Sequence, residues 1–445
     1  MTRERIHSIW LALFGAGLIA FGITILVQGR FLLVPAARIG GAVIMLSGLN
    51  QMIRAYVKKR RIPLISGLGF ILMGLVTVFL PGMTLGILTM AFSLYLLLNA
   101  AVKLIDFIAA VRNKIPPDDI FADFFAFAAF LIFGVIMLFG SFYTRRMLLL
   151  ISGIYCVLYG LTALADFVRE ILPNRAKTAV RRKIRVSLPL FISTFFPFGA
   201  LKNYQKRLDS REIDIEKLLA EEKQLDKQYP PNIHVLIHVS GDGVGIMGHC
   251  DLYVDGEVLS YGNYDESSAR LFNALGDGVM FVSEFEPYIE FSVRSDRQMV
   301  FDYGLRLTDE QLERVRAEIR RIKSSVYRWK PPYQRALERG EKAAVTDFKD
   351  YCSGLWGGTK AKFYKFRSGK FKSYCVMSTN CVLLADSILS KAGTDIIKVV
   401  GIISPGAYYD YLQKEYLLEN GLVVSRDIYS KYNISGEEEE NLINL

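Results

Sequence analysis

The stretch Gly248-His249-Cys250-Asp251-Leu252-Tyr253-Val254-Asp255-Gly256-Glu257-Val258-Leu259-Ser260-Tyr261-Gly262-Asn263 decides how the C-terminal half folds. Two alternating runs flank an Asp-Gly pair. That pair favours a two-residue turn whose twist matches paired strands, so the stretch predicts a β-hairpin. With such a turn His249 lies opposite Gly262, and His249, Asp251 and Ser260 share one face, because strand side chains alternate. Upstream, Ile233 to Val239 alternates as well and predicts a strand with His234 and His238 on one face. The connection Ser240-Gly241-Asp242-Gly243-Val244-Gly245 is no phosphate loop, since neither Gly-Lys-Ser/Thr nor a helix pattern follows. Residues 307–328 predict a helix capped by Thr308 with Glu310 behind it.

A second landmark is Met377-Ser378-Thr379-Asn380-Cys381, after which Val382 to Lys391 shows helical apolar spacing and Gly393 marks a stop. Ser378 or Thr379 is the expected cap, which puts Cys381 in the first helical turn. A helix start carries free N–H groups and a positive partial charge. Such a site favours a thiolate and can bind an oxyanion. The plainer reading is a buried, inert cysteine. Cys250 and Cys375 read as packing residues. His234, His238 and His249 suggest zinc only weakly, because ligand spacing is not evident. No cofactor or metal is expected.

A thiol at a helix start and a histidine on a hairpin strand resemble the papain-like arrangement. Because the histidine precedes the cysteine, residues 233–410 resemble the circularly permuted branch: NlpC-related hydrolases and acyltransferases, with the lecithin:retinol acyltransferase group. The Gly248-His249, Ser260-Tyr261-Gly262-Asn263 and Asn380-Cys381 segments look closest to bacterial membrane-associated members, including a lipoprotein-acylation type. The resemblance implies Cys381 as nucleophile and His249 as base. It also implies a third polar group that orients the imidazole: Ser260 by register, or Asn263 if the strand bulges. It further implies a thioester acyl-enzyme, with water as acceptor in a hydrolase and an amine or alcohol in an acyltransferase.

The N-terminal half reads differently. Apolar stretches at 8–27, 36–55, 63–81, 84–105, 121–142 and 147–168 each run about 20 residues, enough for a helix to cross a ~30 Å hydrocarbon core. They form three hairpins, with a small or amide residue recurring at Gly48, Asn99 and Gly160, which suggests triplication. This half resembles the HdeD-type acid-resistance membrane proteins. The first span lacks a signal-peptide cleavage site. Arg54, Lys58, Lys59, Arg60 and Arg61, with the basic run from Arg175 to Arg185, place both termini on the cytoplasmic side of an inner membrane. Arg30, Arg38, Arg145 and Arg146 fall on the opposite side. Lys103 with Asp106, and Asp166, sit near span ends and read as snorkelling charges.

Composition agrees with a membrane protein. Half of the 445 residues, 51%, are apolar, and the mean hydropathy is +0.26. The net charge of +10 is uneven: residues 1–172 hold 15 Lys/Arg against 7 Asp/Glu, residues 173–230 hold 13 against 7, and residues 231–445 hold 26 against 30. An excess beside apolar sequence favours anionic lipid over nucleic acid as partner. Five cysteines without metal spacing fit a reducing compartment. Between the halves, 186–201 is too short and proline-broken for a span and reads as interfacial, and 203–228 as an amphipathic helix. Residues 360–372 interleave Lys360, Lys362, Lys365, Arg367, Lys370 and Lys372 with Phe363, Tyr364, Phe366 and Phe371. This pattern suits a lipid surface or a solvated strand.

The expected architecture is a six-span helical membrane domain (1–172), a basic linker (173–231), an α+β permuted papain-like domain with an antiparallel sheet (232–430) and an acidic tail (431–445). The expected function is that of a membrane-anchored thiol hydrolase or acyltransferase for an acyl or amide bond of a lipid or lipoprotein-like substrate. The alternatives are a non-catalytic stress-response scaffold and, with the C-terminal half outside, a peptidoglycan amidase.

Overall fold

The structure, a computed structural model, describes residues 3–57, 62–113, 117–139, 149–150, 152–161, 163–164, 229–239, 248–271, 273–295, 298–392, 405–417 and 421–430. The chain divides into two compact units: Met1–Ile108 with Pro117–Val168, and Ala109–Pro116 with Arg169–Leu445. The predicted linker segments, the Gly-rich connection at 240–245, Asp166, Gly393 and the acidic tail lie outside the described residues.

The first unit is helical. Helix α1 (Arg3–Val57) breaks at Gln28, where φ is −120° and ψ is 18°, so it forms two arms that match the first two predicted stretches. Helix α2 (Ile62–Phe79) and α3 (Pro81–Arg112) are separated at Leu80, because a proline starts the next helix at its first position. Helix α4 (Pro117–Phe139) follows. Glycine lets the backbones approach. A Cβ on Gly74 would lie 2.7 Å from the Gly41 carbonyl, and one on Gly48 would lie 2.7 Å from the Gly67 carbonyl. The first arm of α1 meets the Ser152–Leu161 helix in the same way, through Gly22 with Gly153 and Gly15 with Gly160. Between α3 and α4, Ser93 Oγ donates to the Gly134 carbonyl at 2.7 Å.

These seams join the second predicted stretch to the third, the first to the sixth and the fourth to the fifth. Gly48 and Gly160 sit in them as expected. Asn99 is buried and donates to the Tyr95 carbonyl of its own helix, while Ser93 makes the hydrogen bond across the α3–α4 seam. Lys103, read from sequence as a snorkelling charge, pairs instead with Asp106 at 3.2 Å and with Asp123 of α4 at 2.8 Å. Among the described residues one helix, α3, is long and apolar enough to cross a membrane. Ala12–Gln28, Ile65–Phe79, Asp123–Phe139 and Ser152–Leu161 are shorter apolar helices. The structure therefore gives a helical N-terminal half in which six full-length spans are not shown.

The second unit is built on an antiparallel sheet of eight strands in the order β10-β6-β1-β2-β3-β5-β8-β7. The strands are β1 (Ile233–Val239), β2 (His249–Val254), β3 (Glu257–Gly262), β5 (Val279–Glu284), β6 (Met299–Leu305), β7 (Val326–Trp329), β8 (Lys362–Phe366) and β10 (Val423–Tyr429). Short strands β4 (Leu275–Asp277) and β9 (Ser373–Cys375) pair separately. The predicted hairpin is β2–β3, with Leu252 opposite Leu259 and Val254 opposite Glu257. Asp255 and Gly256 both take positive φ, 52° and 83°, as an Asp-Gly turn requires.

Helices cover both sheet faces. On one, Ile233, Val235, Ile237, Leu252 and Phe301 pack with Leu384 and Leu389 of the Cys381–Leu389 helix and with Tyr408 and Leu412 of the Pro405–Leu417 helix. The Asp309–Ser324 helix adds Leu312, Val315 and Ile319 to this core. On the other face, Leu236, Val258, Phe281 and Val300 pack with Tyr288, Ile289 and Leu355. Thr308 caps the Asp309–Ser324 helix as predicted, but its reciprocal partner is Gln311 rather than Glu310, because a capping box uses the third helical residue. That helix ends at Ser324, short of the predicted 328, because Val326 enters β7.

Residues 360–372 are largely absorbed by the fold. Phe363 and Phe366 are buried, and Lys365 is buried between Asp265 (2.6 Å) and Asp277 (2.7 Å). Lys360, Lys362, Arg367, Lys370 and Lys372 remain exposed.

Candidate active site

Cys381 is the first residue of its helix. The N-cap is Asn380, not Ser378 or Thr379: the Asn380 side chain accepts from the Leu383 amide at 3.0 Å. Thr379 is diverted, its hydroxyl donating to the Ser373 carbonyl. Asn380 Nδ2 also donates to the Val376 carbonyl, so the turn that delivers Cys381 is tied at both ends. Cys381 is 3% exposed.

His249 opens β2. It follows Gly248, whose φ of +77° suits glycine and at which a Cβ would press on Pro405 and the His238 carbonyl. The Cys381 sulfur is close enough to the ring for its charge to raise the imidazole. Nε2 is crowded: it lies 2.7 Å from Asp251 Oδ1, 2.8 Å from Ser260 Oγ and 2.9 Å from the Tyr264 hydroxyl. The Ser260 and Tyr264 hydroxyls bond each other at 2.7 Å, closing a triangle on Nε2.

Asp251 stands behind the ring, 1% exposed. Its Oδ2 accepts the Tyr288 hydroxyl at 2.5 Å and lies 2.9 Å from His238 Nε2. His238 Nδ1 in turn lies 2.9 Å from Gln298 Oε1. Both imidazole contacts to Asp251 lie off the ideal N–H axis.

The electrostatics follow from this geometry. Burial alone would raise the Asp251 carboxyl, but the His249 charge and the two imidazole donors hold it well below the usual carboxylate range. Burial alone would lower His249, but Asp251 and the Cys381 sulfur outweigh it and hold the ring above the usual histidine range. Burial pushes the Cys250 thiol up, as does the neighbouring Cys381 charge, and burial likewise raises Cys352. The tyrosines nearby, Tyr261, Tyr264 and Tyr374, are held neutral by burial.

Of the residues singled out in the sequence, Cys381, His249 and Ser260 come together. Asn263 does not reach the ring: its amide donates to the Asn273 and Leu275 carbonyls, both at 3.2 Å, and holds the loop before β4. The strand does not bulge there, and Ser260 keeps its register against Phe281 of β5. Cys250 and Cys375 are buried packing residues. The three histidines do not converge, because His234 bonds Asp302 at 2.7 Å, apart from the other two. Among the described residues no three His, Cys, Asp or Glu side chains could hold a metal ion.

Sequence reasoning missed four groups. Asp251 was legible as the same-face neighbour two residues after His249. Tyr264 and Tyr288 carry no local signal, and His238 reads in the sequence only as one of three histidines that suggest zinc weakly. No family model, curated protein or solved structure matches the chain.

Proposed function

We propose that the chain is a membrane-anchored, cysteine-dependent hydrolase or acyltransferase that cleaves or transfers an acyl or amide bond through a thioester. The observation that carries this reading is the unbroken Cys381–His249–Asp251 arrangement. His249 takes the thiol proton, and the sulfur attacks the substrate carbonyl carbon. The oxyanion is met by N–H groups at the start of the Cys381–Leu389 helix. As the carbon–oxygen or carbon–nitrogen bond breaks, the imidazolium returns its proton to the leaving group. Water, or an amine or alcohol, then attacks the thioester with His249 again removing the proton; the carbon–sulfur bond breaks, and the imidazolium returns that proton to the Cys381 sulfur.

The lipid or lipoprotein-like substrate and the six-span inner-membrane anchor rest on the sequence pattern and its family resemblances. Apolar side chains exposed along the helical unit support the anchor, among them Leu13, Leu46, Ile65, Phe79, Ile87 and Phe125. The exposed cations of residues 360–372 support contact with anionic lipid. A cytoplasmic position for the second unit rests on the loop charges alone.

The burial of Cys381 favours a second reading, a non-catalytic scaffold. An acyl-chain thiol probe separates the two. Labelling at Cys381 that disappears in Cys381→Ala supports the enzyme; labelling carried instead by Cys250 or Cys375 defeats it.

A further inference from the structure

The geometry points to His238 as a positioning residue that acts on His249 through Asp251, so that the base of the proposed thiol enzyme is held by a His–Asp–His relay. The inference rests on the Cys381–His249 reading above and goes beyond it. His238 lies on β1 directly across from His249 in the β1–β2 register, with only 1% of it exposed. Val300 of β6 sits across from it on the other side, and Leu236 and Val258 line the same sheet face. An imidazole in apolar surroundings loses hydration, and that cost is offset only where its nitrogens find partners.

Nδ1 faces Gln298 Oε1 at 2.9 Å, and Nε2 lies 2.9 Å from Asp251 Oδ2, off the N–H axis. Among the described residues the titratable groups around the ring are Asp251 and His249 from β2 and Tyr288 from the Phe285–Glu290 helix. Gln298, from the segment before β6, is uncharged. Tyr288 and His238 together occupy Asp251 Oδ2, which turns Oδ1 toward His249. Without the His238 ring the carboxylate loses one of the two contacts that fix its rotation. Its charge is then less well placed to stabilise the imidazolium that accompanies the Cys381 thiolate.

The test is the pH profile of Cys381 alkylation by iodoacetamide in the full-length, detergent-solubilised protein, read by peptide mass spectrometry so that other cysteines are counted separately. Two substitutions divide the ring's contacts. In His238→Gln the amide nitrogen reaches the place of Nε2 and keeps a donor on Asp251. In His238→Asn it reaches only the place of Nδ1 and faces Gln298. The parent protein is expected to alkylate at Cys381 well below the free-thiol range near ~8.5. His238→Asn should shift that inflection upward by about one pH unit, a roughly tenfold loss of rate at pH 6, while His238→Gln keeps the parent profile. Two unshifted variants, or two shifted equally, would overturn the relay while leaving the Cys381–His249 pair intact. A parent profile of an ordinary thiol overturns the pair itself, and the relay with it.

Discussion

His249 Nε2 lies 2.7 Å from Asp251 Oδ1 while the charge of Cys381 acts on the same ring, so one imidazole serves both a buried carboxylate and a thiol at a helix start. A ring held this way can carry a positive charge next to sulfur. The carboxylate stabilises the charged ring.

Asp251 is therefore expected to matter more than its distance from the sulfur suggests. Asp251→Asn keeps the shape but removes the charge and frees the ring tautomer. Probe acylation at Cys381 should fall by about 100-fold or more, the usual size of a general-base contribution. Single-turnover labelling rates measure this, and a fall of less than threefold would mean that Ser260 and Tyr264 orient the ring without the carboxylate.

The same pair predicts a pH dependence of stability. Asp251 is lowered on folding, so its contribution is full above its unfolded value near ~4 and is lost as pH falls through the folded value. His249 is raised on folding, so its contribution is full below ~6.5 and is lost as pH rises through its folded value. Both are full between these limits. Denaturant midpoints between pH 6 and pH 3 should fall less in Asp251→Asn than in the parent; parallel curves would show that other carboxylates dominate acid unfolding.

Lys365 offers a test of the sheet itself. Its ammonium is held between Asp265 and Asp277 and lies over the Trp329 ring at 5.4 Å. Lys365→Met fills similar volume but leaves Asp265 half-desolvated without its cation. The loss should be about 3 kcal/mol, and Lys365→Met with Asp265→Asn should recover part of it. A double-mutant cycle in denaturant checks this.

In the helical unit, Gly74→Leu and Gly69→Leu form a matched pair. A Cβ at Gly74 meets Gly41 and Met45 at 2.7 to 2.8 Å, whereas Gly69 has nothing within 4 Å. The first should lower the melting temperature in detergent, with a cost of about 1–3 kcal/mol, and the second should leave it unchanged.

How much of this was legible depended on the range of the interactions involved. The β2–β3 hairpin was readable because Asp255-Gly256 sets its turn locally. The helix start at Cys381 was readable from its apolar spacing, but the cap was not: Asn380, Thr379 and Ser378 are all cap residues, and tertiary bonding of Thr379 to Ser373 decided among them. Ser260 followed from register, while Tyr264 and Tyr288 reach the site through packing that no local pattern encodes. The basic–aromatic run looked solvated because the partners of Lys365 lie 100 and 88 residues away in sequence. In the helical half, hydropathy marked six stretches, yet the glycine contacts that join them cross from one expected hairpin to the next.

The most direct test of the central claim is acyl-probe labelling of the intact protein, mapped by mass spectrometry in the parent and in His249→Ala. The account predicts that the parent carries the acyl group on Cys381 and that His249→Ala loses it, with Cys250, Cys352 and Cys375 unlabelled in both. Equal labelling of Cys381 in the two proteins, or none in either, would contradict it.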